Sequence, residues 1–433
     1  MSKPLRLRWL ELQLLVIPAA ASLVGLLTIY LARSGRTSWS WADLTVSLVF
    51  IAVVFLTHAW FTILRLRSDE VLLPLVVMLS CLGLLLSQRL GPVVPEAGVW
   101  ASLSQRQLVY LLVAFVMLWV TVGVVRRFEV LRRLRYTWAV GALLLTVFTM
   151  VFGTDLGSGA RLWIDLGPIT VQPGELVKVL LVLFLAGYLD DHRELITSSY
   201  RLGPLRLPPL PYLIPLIVMW GLSVLAVVLQ NDLGNALLLF GIFLVMLYVV
   251  SGRPLYVIGG LVAFAGAVAV ALRLFPRVEQ RVQIWLDPWA DPTGIGMQPV
   301  QADLAFAHGH ILGAGLGFGY PQAIPVVATD YAFAALGEEL GSLGSVAIIA
   351  LYLLLVMRGL IVAARIRNSY VRLLSIGLVS VIGLQTLIIL AGNVRLLPLT
   401  GITLPFISAG GSSLVTNFLI IGLLLRASEF TRD

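Results

Sequence analysis

The sequence predicts an all-α fold, a polytopic transmembrane helical bundle of about twelve helices with one long extracytoplasmic loop. Composition is the first observation behind it: 59% of the 433 residues are hydrophobic and 12% are charged, about half the charged share of a soluble domain. The second is that the apolar residues gather into runs near the ~20 residues that cross a bilayer's hydrocarbon at about 1.5 Å per residue. The third is the placing of the basic residues, which fall mostly in short connectors whose charge alternates from one connector to the next.

The apolar runs cover residues 12–32, 43–64, 71–89, 106–125, 137–153, 174–190, 211–229, 232–251, 255–273, 335–357, 373–392 and 406–425. The first follows Lys3, Arg6 and Arg8 and leads straight into further membrane segments, so no cleavable signal peptide is expected. The single cysteine, Cys81, lies inside the third run, which excludes an intrachain disulfide framework. An even number of crossings puts both termini on one side. With an inner N-terminus, twenty basic residues fall on inner connectors and tails and nine on outer ones, with Lys178 left within a span. The positive-inside bias therefore predicts cytoplasmic termini. It also makes the net charge of +8 an orientation signal and not a nucleic-acid footprint.

The connector at 274–334 is far longer than the others and falls outside in this topology. It holds six prolines, two tryptophans and the alternating glycines Gly313, Gly315, Gly317 and Gly319. It is too rich in aromatic and aliphatic residues for plain disorder. The expectation is a partly helical loop folded back onto the outer face, where it builds the site.

Charges placed in or against a bilayer are costly and need a partner or a purpose. One group holds Arg161, Trp163, Gln172, Glu175 and Lys178. Pro173 suits the first turn of a helix, Glu175 follows in that turn, and Lys178 lies three residues on, on the same face. The pair serves either as a buried tie between helices or as a polar wall facing an anionic substrate. A second group is Gln230-Asn231-Asp232-Leu233-Gly234-Asn235, where turn chemistry alone accounts for the residue types. A third runs from Thr329 and Asp330 to Glu338 and Glu339. Asp330 could be a helix cap and nothing more; a cap leaves the two glutamates unexplained, and three carboxylates together suit a base, a metal ligand or a cation site.

Other signals carry less. The glycines at 313–319 resemble a phosphate cradle but follow no strand. His308 and His310 are two ligands where a metal site needs more, and read as solvated loop residues. The run 408–413, with Ser412 at the head of the last span, permits close helix contact or exposes backbone donors to an anion.

The chain resembles the SEDS family (shape, elongation, division and sporulation), which includes RodA and FtsW. The matching stretches are GARLWIDLGPITVQPGELVK (159–178), LQNDLGNALLLFGIFLVMLYVVSGR (229–253), DPTGIGMQPVQADLAFAHGHILGAGLGFG (291–319), ATDYAFAALGEELGSLG (328–344) and NVRLLPLTGITLPFISAGGSSL (393–414). They follow in family order. The resemblance implies an inverting glycosyltransferase that polymerises lipid II into glycan strands at the outer face of the cytoplasmic membrane, in elongation or division. It also implies a class B penicillin-binding protein as partner. Asp330 matches the family's essential loop aspartate, Glu175 and Lys178 its paired charges, and Trp163 and Asp232 other motif positions. Val326, Ala328, Gly174, Asn231 and Ala409 depart from frequent family residues. The longer N-terminus and the NVRLLPLTGIT run are closer to RodA-type members. Residues 1–66 form two additional helices, ahead of a membrane domain at 67–433.

Chemistry and resemblance converge on one mechanism. A polyprenyl-pyrophosphate donor already has a good leaving group and needs cations to hold it, from Arg161, Lys178 and Arg281. The acceptor hydroxyl needs one base, Asp330. Mg²⁺ or Mn²⁺ suits carboxylates and pyrophosphate together, and the sequence does not demand either. The prenyl tails, like the membrane lipids, would lie in apolar grooves. A flippase for lipid-linked precursors is the competing class. It needs a polar path through the membrane, whereas the cytoplasmic halves of these spans are nearly bare. A non-enzymatic scaffold leaves the outer charges unexplained.

Overall fold

The computed structural model describes residues 8–34, 41–92, 102–154, 161–167, 169–197, 200–202, 205–207, 210–230, 232–274 and 276–431. Lys3, Arg6, Asn231 and the start of the 159–178 stretch lie outside them. Described residues are overwhelmingly helical. In chain order come α1 (Trp9–Ser34), α2 (Trp41–Ile63), α3 (Leu72–Leu90), α4 (Leu103–Val124), α5 (Phe128–Arg133), α6 (Arg135–Phe152), α7 (Pro173–Asp191), α8 (Arg193–Thr197), α9 (Leu210–Leu229), α10 (Leu233–Ser251) and α11 (Pro254–Leu274). Then follow α12 (Pro276–Leu286), α13 (Met297–Gly309), α14 (Ala332–Arg365), α15 (Ser369–Asn393) and α16 (Gly411–Ala427). Two antiparallel hairpins interrupt them, β1 (Ile164–Asp165) with β2 (Thr170–Val171), and β3 (Tyr200–Leu202) with β4 (Leu205–Leu207).

This is a helical polytopic membrane protein, and a helix falls on each apolar run. Among the described residues nine helices are long and apolar enough to cross a bilayer. α7 is not among them, because Glu175, Lys178, Asp190 and Asp191 load it with charge. The last run begins later than its hydropathy implied: Phe406 adopts φ +68°, and the helix starts only at Gly411.

The described residues form two compact units. In the first (1–124, 281–358 and 385–429), α16 lies along α4, α3 lies between α1 and α4, and α2 packs on both α1 and α4. Small residues let the backbones close: a side chain at Gly411 would overlap Tyr110, and one at Gly422 would overlap Thr121. Phe115 and Phe418 meet edge to face with centroids 4.9 Å apart. In the second unit (125–280, 359–384 and 430–433), α6 lies along α7, and α10 packs on α7, α9 and α11. Ala142, Val177, Leu181, Val227, Ala236 and Leu239 form its apolar centre. Arg132 and Arg135 pair with Asp191, and Arg132 also with Asp190, closing the end where α7 finishes.

One local event shapes the first unit. α14 is broken at Gly341 (φ +70°, ψ −172°), a conformation that favours glycine. The break frees backbone groups on both sides, and such groups must be satisfied inside a membrane protein. The segment after α13 satisfies them. Ala314 N–H and Gly315 N–H donate to the carbonyls of Glu338 and Glu339, while Ser342 N–H and Leu343 N–H donate to those of His310 and Ile311. Gly313 sits so close that a Cβ there would lie 2.3 Å from Glu339 O. The apolar run 335–357 predicts one continuous span holding both glutamates. Instead they lie in the short piece 332–340, and residues 342–365 continue beyond the break, long enough at about 1.5 Å per residue to cross alone.

A Cβ at Gly341 would sit 2.3 Å from Gly313 N. Gly341→Ala is therefore expected to destabilise the protein by at least the ~1–3 kcal/mol of a strained backbone, read as a lower thermal midpoint in detergent. An unchanged midpoint would show that the break is not fixed by this residue.

Candidate functional site

Asp330 belongs to the first unit and lies just before α14. As a cap it would need to bind the first free amides of the helix. It does not stand at that position. Tyr331 precedes the first helical residue, and the Ala334 N–H is taken by the side-chain oxygen of buried Asn393. The Asn393 amide also donates to Asp330 O (2.8 Å) and to Ile389 O (3.0 Å). On the other flank, Ser408 Oγ donates to Thr329 O and accepts from Leu404 N–H, and Ala409 N–H donates to Ala328 O. The backbone on either side of Asp330 is thus clamped by residues of the 393–414 stretch, and its carboxyl is left for other work.

That carboxyl faces Arg281. Gly401, at φ +75°, leaves an open corner whose missing Cβ position lies 3.8 Å from Asp330 Oδ2 and 3.9 Å from an Arg281 guanidinium nitrogen. Arg281 projects from α12 and donates to Thr400 O. Burial pushes the Asp330 carboxyl up to about 6, against the opposing effects of a hydrogen bond from Thr329 and the Arg281 charge.

Glu338 and Glu339 are less available than the sequence implied. Glu339 pairs with Arg89 at 2.8 Å, and Arg89 also donates to Gly319 O. Glu338 accepts from Tyr320 N–H and meets His308 Nδ1 at 2.8 Å through one oxygen. The other oxygen is buried with no hydrogen bond among the described residues. His308 is exposed, as expected, but it sits in the last turn of α13 and meets a glutamate. Ser412 opens α16, four residues beyond Ser408.

The second unit gathers the other candidates at one end. There α6 finishes, the β1–β2 hairpin turns, α7 begins, and α9 gives way to α10; Gln230 donates to Thr146 O across this end. Glu175 and Lys178 pair at 2.8 Å, both buried. Asp232 caps α10, one oxygen accepting from Asn235 N–H (3.1 Å) and the other from its side-chain amide (2.6 Å). Burial raises the Asp232 carboxyl, with Glu175 adding to the effect and Asn235 and Lys178 opposing it. The expected turn role of Asp232 is thus present. Trp163 is held in a backbone bridge to Thr154, and Arg161 beside it is exposed. Gln172 precedes α7. Among the described residues no three His, Cys, Asp or Glu side chains converge as a metal cluster.

Sequence reasoning missed Asn393 and Arg89, since each is ordinary in composition and acts through distant partners, and it marked Ser408 only as part of the run 408–413. The only signal was a polar residue at the edge of an apolar run. Asn393→Leu should free both Asp330 O and Ala334 N–H, costing about 1–3 kcal/mol per unsatisfied buried group and reducing activity. Equal activity with unchanged unfolding would remove Asn393 from the clamp. Lys178→Ala leaves Glu175 buried and unpaired, at about 3–5 kcal/mol, so yield and thermal midpoint should fall together. A fully stable, inactive Lys178→Ala protein would instead show the pair serving substrate.

The model of the FtsW/RodA/SpoVE family, described as cell cycle protein, matches residues 69–433. The peptidoglycan glycosyltransferase RodA of Mycobacterium tuberculosis (strain H37Rv) is 37% identical over 428 residues, 98% of this chain and 90% of its own. The probable peptidoglycan glycosyltransferase FtsW of Geobacter metallireducens is 32% identical over 368 residues, 84% of this chain and 95% of its own. Among solved structures, a chain from work on structural coordination of polymerization and crosslinking by a peptidoglycan synthase complex aligns with a TM-score of 0.68 at 28% identity, covering 85% of this chain and 99% of that one. The rod shape determining protein RodA of Thermus thermophilus aligns with a TM-score of 0.60 at 26% identity, covering 85% and 98%. With the motif order, the clamped aspartate and the helical fold in agreement, the chain belongs to the FtsW/RodA/SpoVE family of membrane proteins.

Proposed function

We propose that this chain is a peptidoglycan glycosyltransferase that polymerises lipid II at the outer face of the cytoplasmic membrane, with Asp330 as general base. The observation that carries the assignment is the Asp330 carboxyl itself. It is set by a backbone clamp that leaves it out of helix capping, beside a cation, and raised to about 6. A base of that strength is largely ionised at neutral pH and still takes a proton well.

In the reaction, Asp330 takes the proton of the acceptor sugar hydroxyl as its oxygen attacks the anomeric carbon of the donor. The polyprenyl pyrophosphate leaves with the electron pair of the broken bond. One base and no nucleophilic carboxylate make the displacement inverting. Arg281, which faces Asp330, and Arg161, which is exposed, are the candidates for neutralising the pyrophosphate. Lys178, buried against Glu175, holds that end of the second unit in shape, where Trp163, Gln172 and Asp232 are the unit's own candidates for substrate contact. Glu338, buried against Tyr320 N–H and His308, and Ser412 at the start of α16 are the first unit's other candidates for substrate contact. A divalent ion would find one carboxylate at Asp330 and would need pyrophosphate oxygens for the rest.

In this reading both termini are cytoplasmic, the 274–334 loop is extracytoplasmic, and residues 67–433 form the catalytic membrane domain behind two additional helices. All twelve apolar helices cross the membrane. A class B penicillin-binding protein, which cross-links the strands, is the partner.

The test is purified protein in vesicles with labelled lipid II, with and without that partner, scoring polymer against translocation. Asp330→Asn preserves size and should cost about 10²–10⁴ in rate at normal expression. Long strands at near wild-type rate would leave Asp330 without a chemical role, and translocation without polymer would make the chain a flippase. The wild-type rate should fall as pH drops through about 6. Stability should move the other way: a carboxyl raised in the folded state stabilises fully below its unfolded value near 4, and that contribution is lost as pH rises through about 6.

A further inference from the structure

The two N-terminal helices precede the domain proposed to carry the chemistry, and their contacts show what they do for it. α1 is fastened at its start by a cluster of buried polar side chains. Arg8 donates to Leu66 O, Ser68 Oγ and Asp69 O and pairs with Glu11, whose second oxygen meets His58 Nδ1 of α2 at 2.9 Å. All three side chains are buried. This cluster interrupts a membrane face that the sequence left nearly bare, yet its groups are spent on one another and on the α2–α3 connector, so it is a fastening and not a polar path. Such groups fix register more than they add stability. Midway, α1 seats on α3 so closely that a side chain at Gly25 would overlap Leu85 at 2.5 Å.

The far end of α1 reaches the glycine segment. Gly317 takes φ +92°, and a Cβ there would lie 2.7 Å from Ala32 Cβ and 3.3 Å from Ile29 Cα. From Arg8 to Ala32 an α-helix rises ~36 Å, so one helix, with Pro18 inside it, joins the connector before α3 to residues 313–319. Those residues hold the broken helix: Ala314 and Gly315 donate to the carbonyls of Glu338 and Glu339, and Arg89 ties Gly319 O to the Glu339 carboxylate. The piece they hold, 332–340, begins two residues after Asp330.

We propose that α1 is a positioning element of the active site: Ile29 and Ala32 brace the glycine segment, which fixes the 332–340 piece and with it Asp330. This rests on the reading of Asp330 as the base. A bulky side chain at residue 32 should push the segment away, since a packed contact has no room for added atoms.

The test uses the full chain with Ala32→Trp, and with Leu31→Trp as a control on the exposed neighbouring position. Amide hydrogen exchange over 313–316, thermal unfolding, and the pH profile of lipid II polymerisation are measured on each. For Ala32→Trp we expect faster exchange, a midpoint close to wild type, at least a tenfold loss of rate, and an acid limb displaced from about 6; the control should match wild type. Should Ala32→Trp fail to fold, Ala32→Leu makes the smaller intrusion and is read the same way. Unchanged exchange, or faster exchange with an unchanged rate and pH profile, overturns the brace. A wild-type protein that makes no polymer sinks the glycosyltransferase reading instead, while the exchange measurement still reports on the contact.

Discussion

The requirement that backbone polar groups find partners away from water governs the first unit, and its sharpest expression is the break at Gly341. In an unbroken α14, Glu338 and Glu339 would belong to the spanning helix itself, with the attendant cost of buried charge. Breaking the helix costs four backbone hydrogen-bonding groups, which the 310–315 segment then satisfies one by one. That exchange ties a loop to a helix through main-chain bonds that no side-chain substitution elsewhere can replace. It also explains the alternating glycines. Gly313 and Gly317 are needed where backbone passes within a methyl's width of α14 and α1, not to cradle a phosphate.

The same economy appears in the placing of charges. Among the described residues, several carboxylates are committed to a structural partner: Glu175 to Lys178, Glu339 to Arg89, Glu338 to Tyr320 N–H and His308, Asp303 to Arg395, Asp69 to Arg358. Isolated surface pairs contribute little, but the two pairs buried on both sides, Glu175–Lys178 and Glu339–Arg89, are costly to break. They hold the scaffold in one arrangement.

The helical fold was legible because a membrane span is written in one dimension: about twenty apolar residues suffice, whatever they later touch. Candidate site residues were legible where a charge stood out against such a run, as with Lys178 or Asp330. What could not be read were partners far apart in the chain. Nothing local marks Asn393 as the residue that takes the Ala334 amide, 59 positions away, or Arg89 as the partner of Glu339, 250 away. The break in α14 hid for a related reason: Gly341 is one of many glycines in an apolar stretch, and only the hydrogen-bonding loop reveals that the chain turns there. His58 and Glu11 were passed over because the first two helices match none of the family motifs.

The division between Asp330 and Asp232 shows how this accounting bears on chemistry. Both are acidic residues just before a helix, both are half-buried, and burial raises both. Sequence alone gives each the same structural explanation, a cap or a turn. In Asp232 that explanation is complete, because Asn235 supplies a donor to each carboxylate oxygen; a proton arriving there would have to displace a hydrogen bond that starts α10. In Asp330 the capping duty has been handed to Asn393, the main chain is held by Asn393, Ser408 and Ala409, and the carboxyl keeps Thr329 and the Arg281 charge as its neighbours. A group can cycle through protonation without dismantling its own support only when something else provides that support. Asp330 meets this condition and Asp232 does not, which is the physical ground for placing the base at the head of α14.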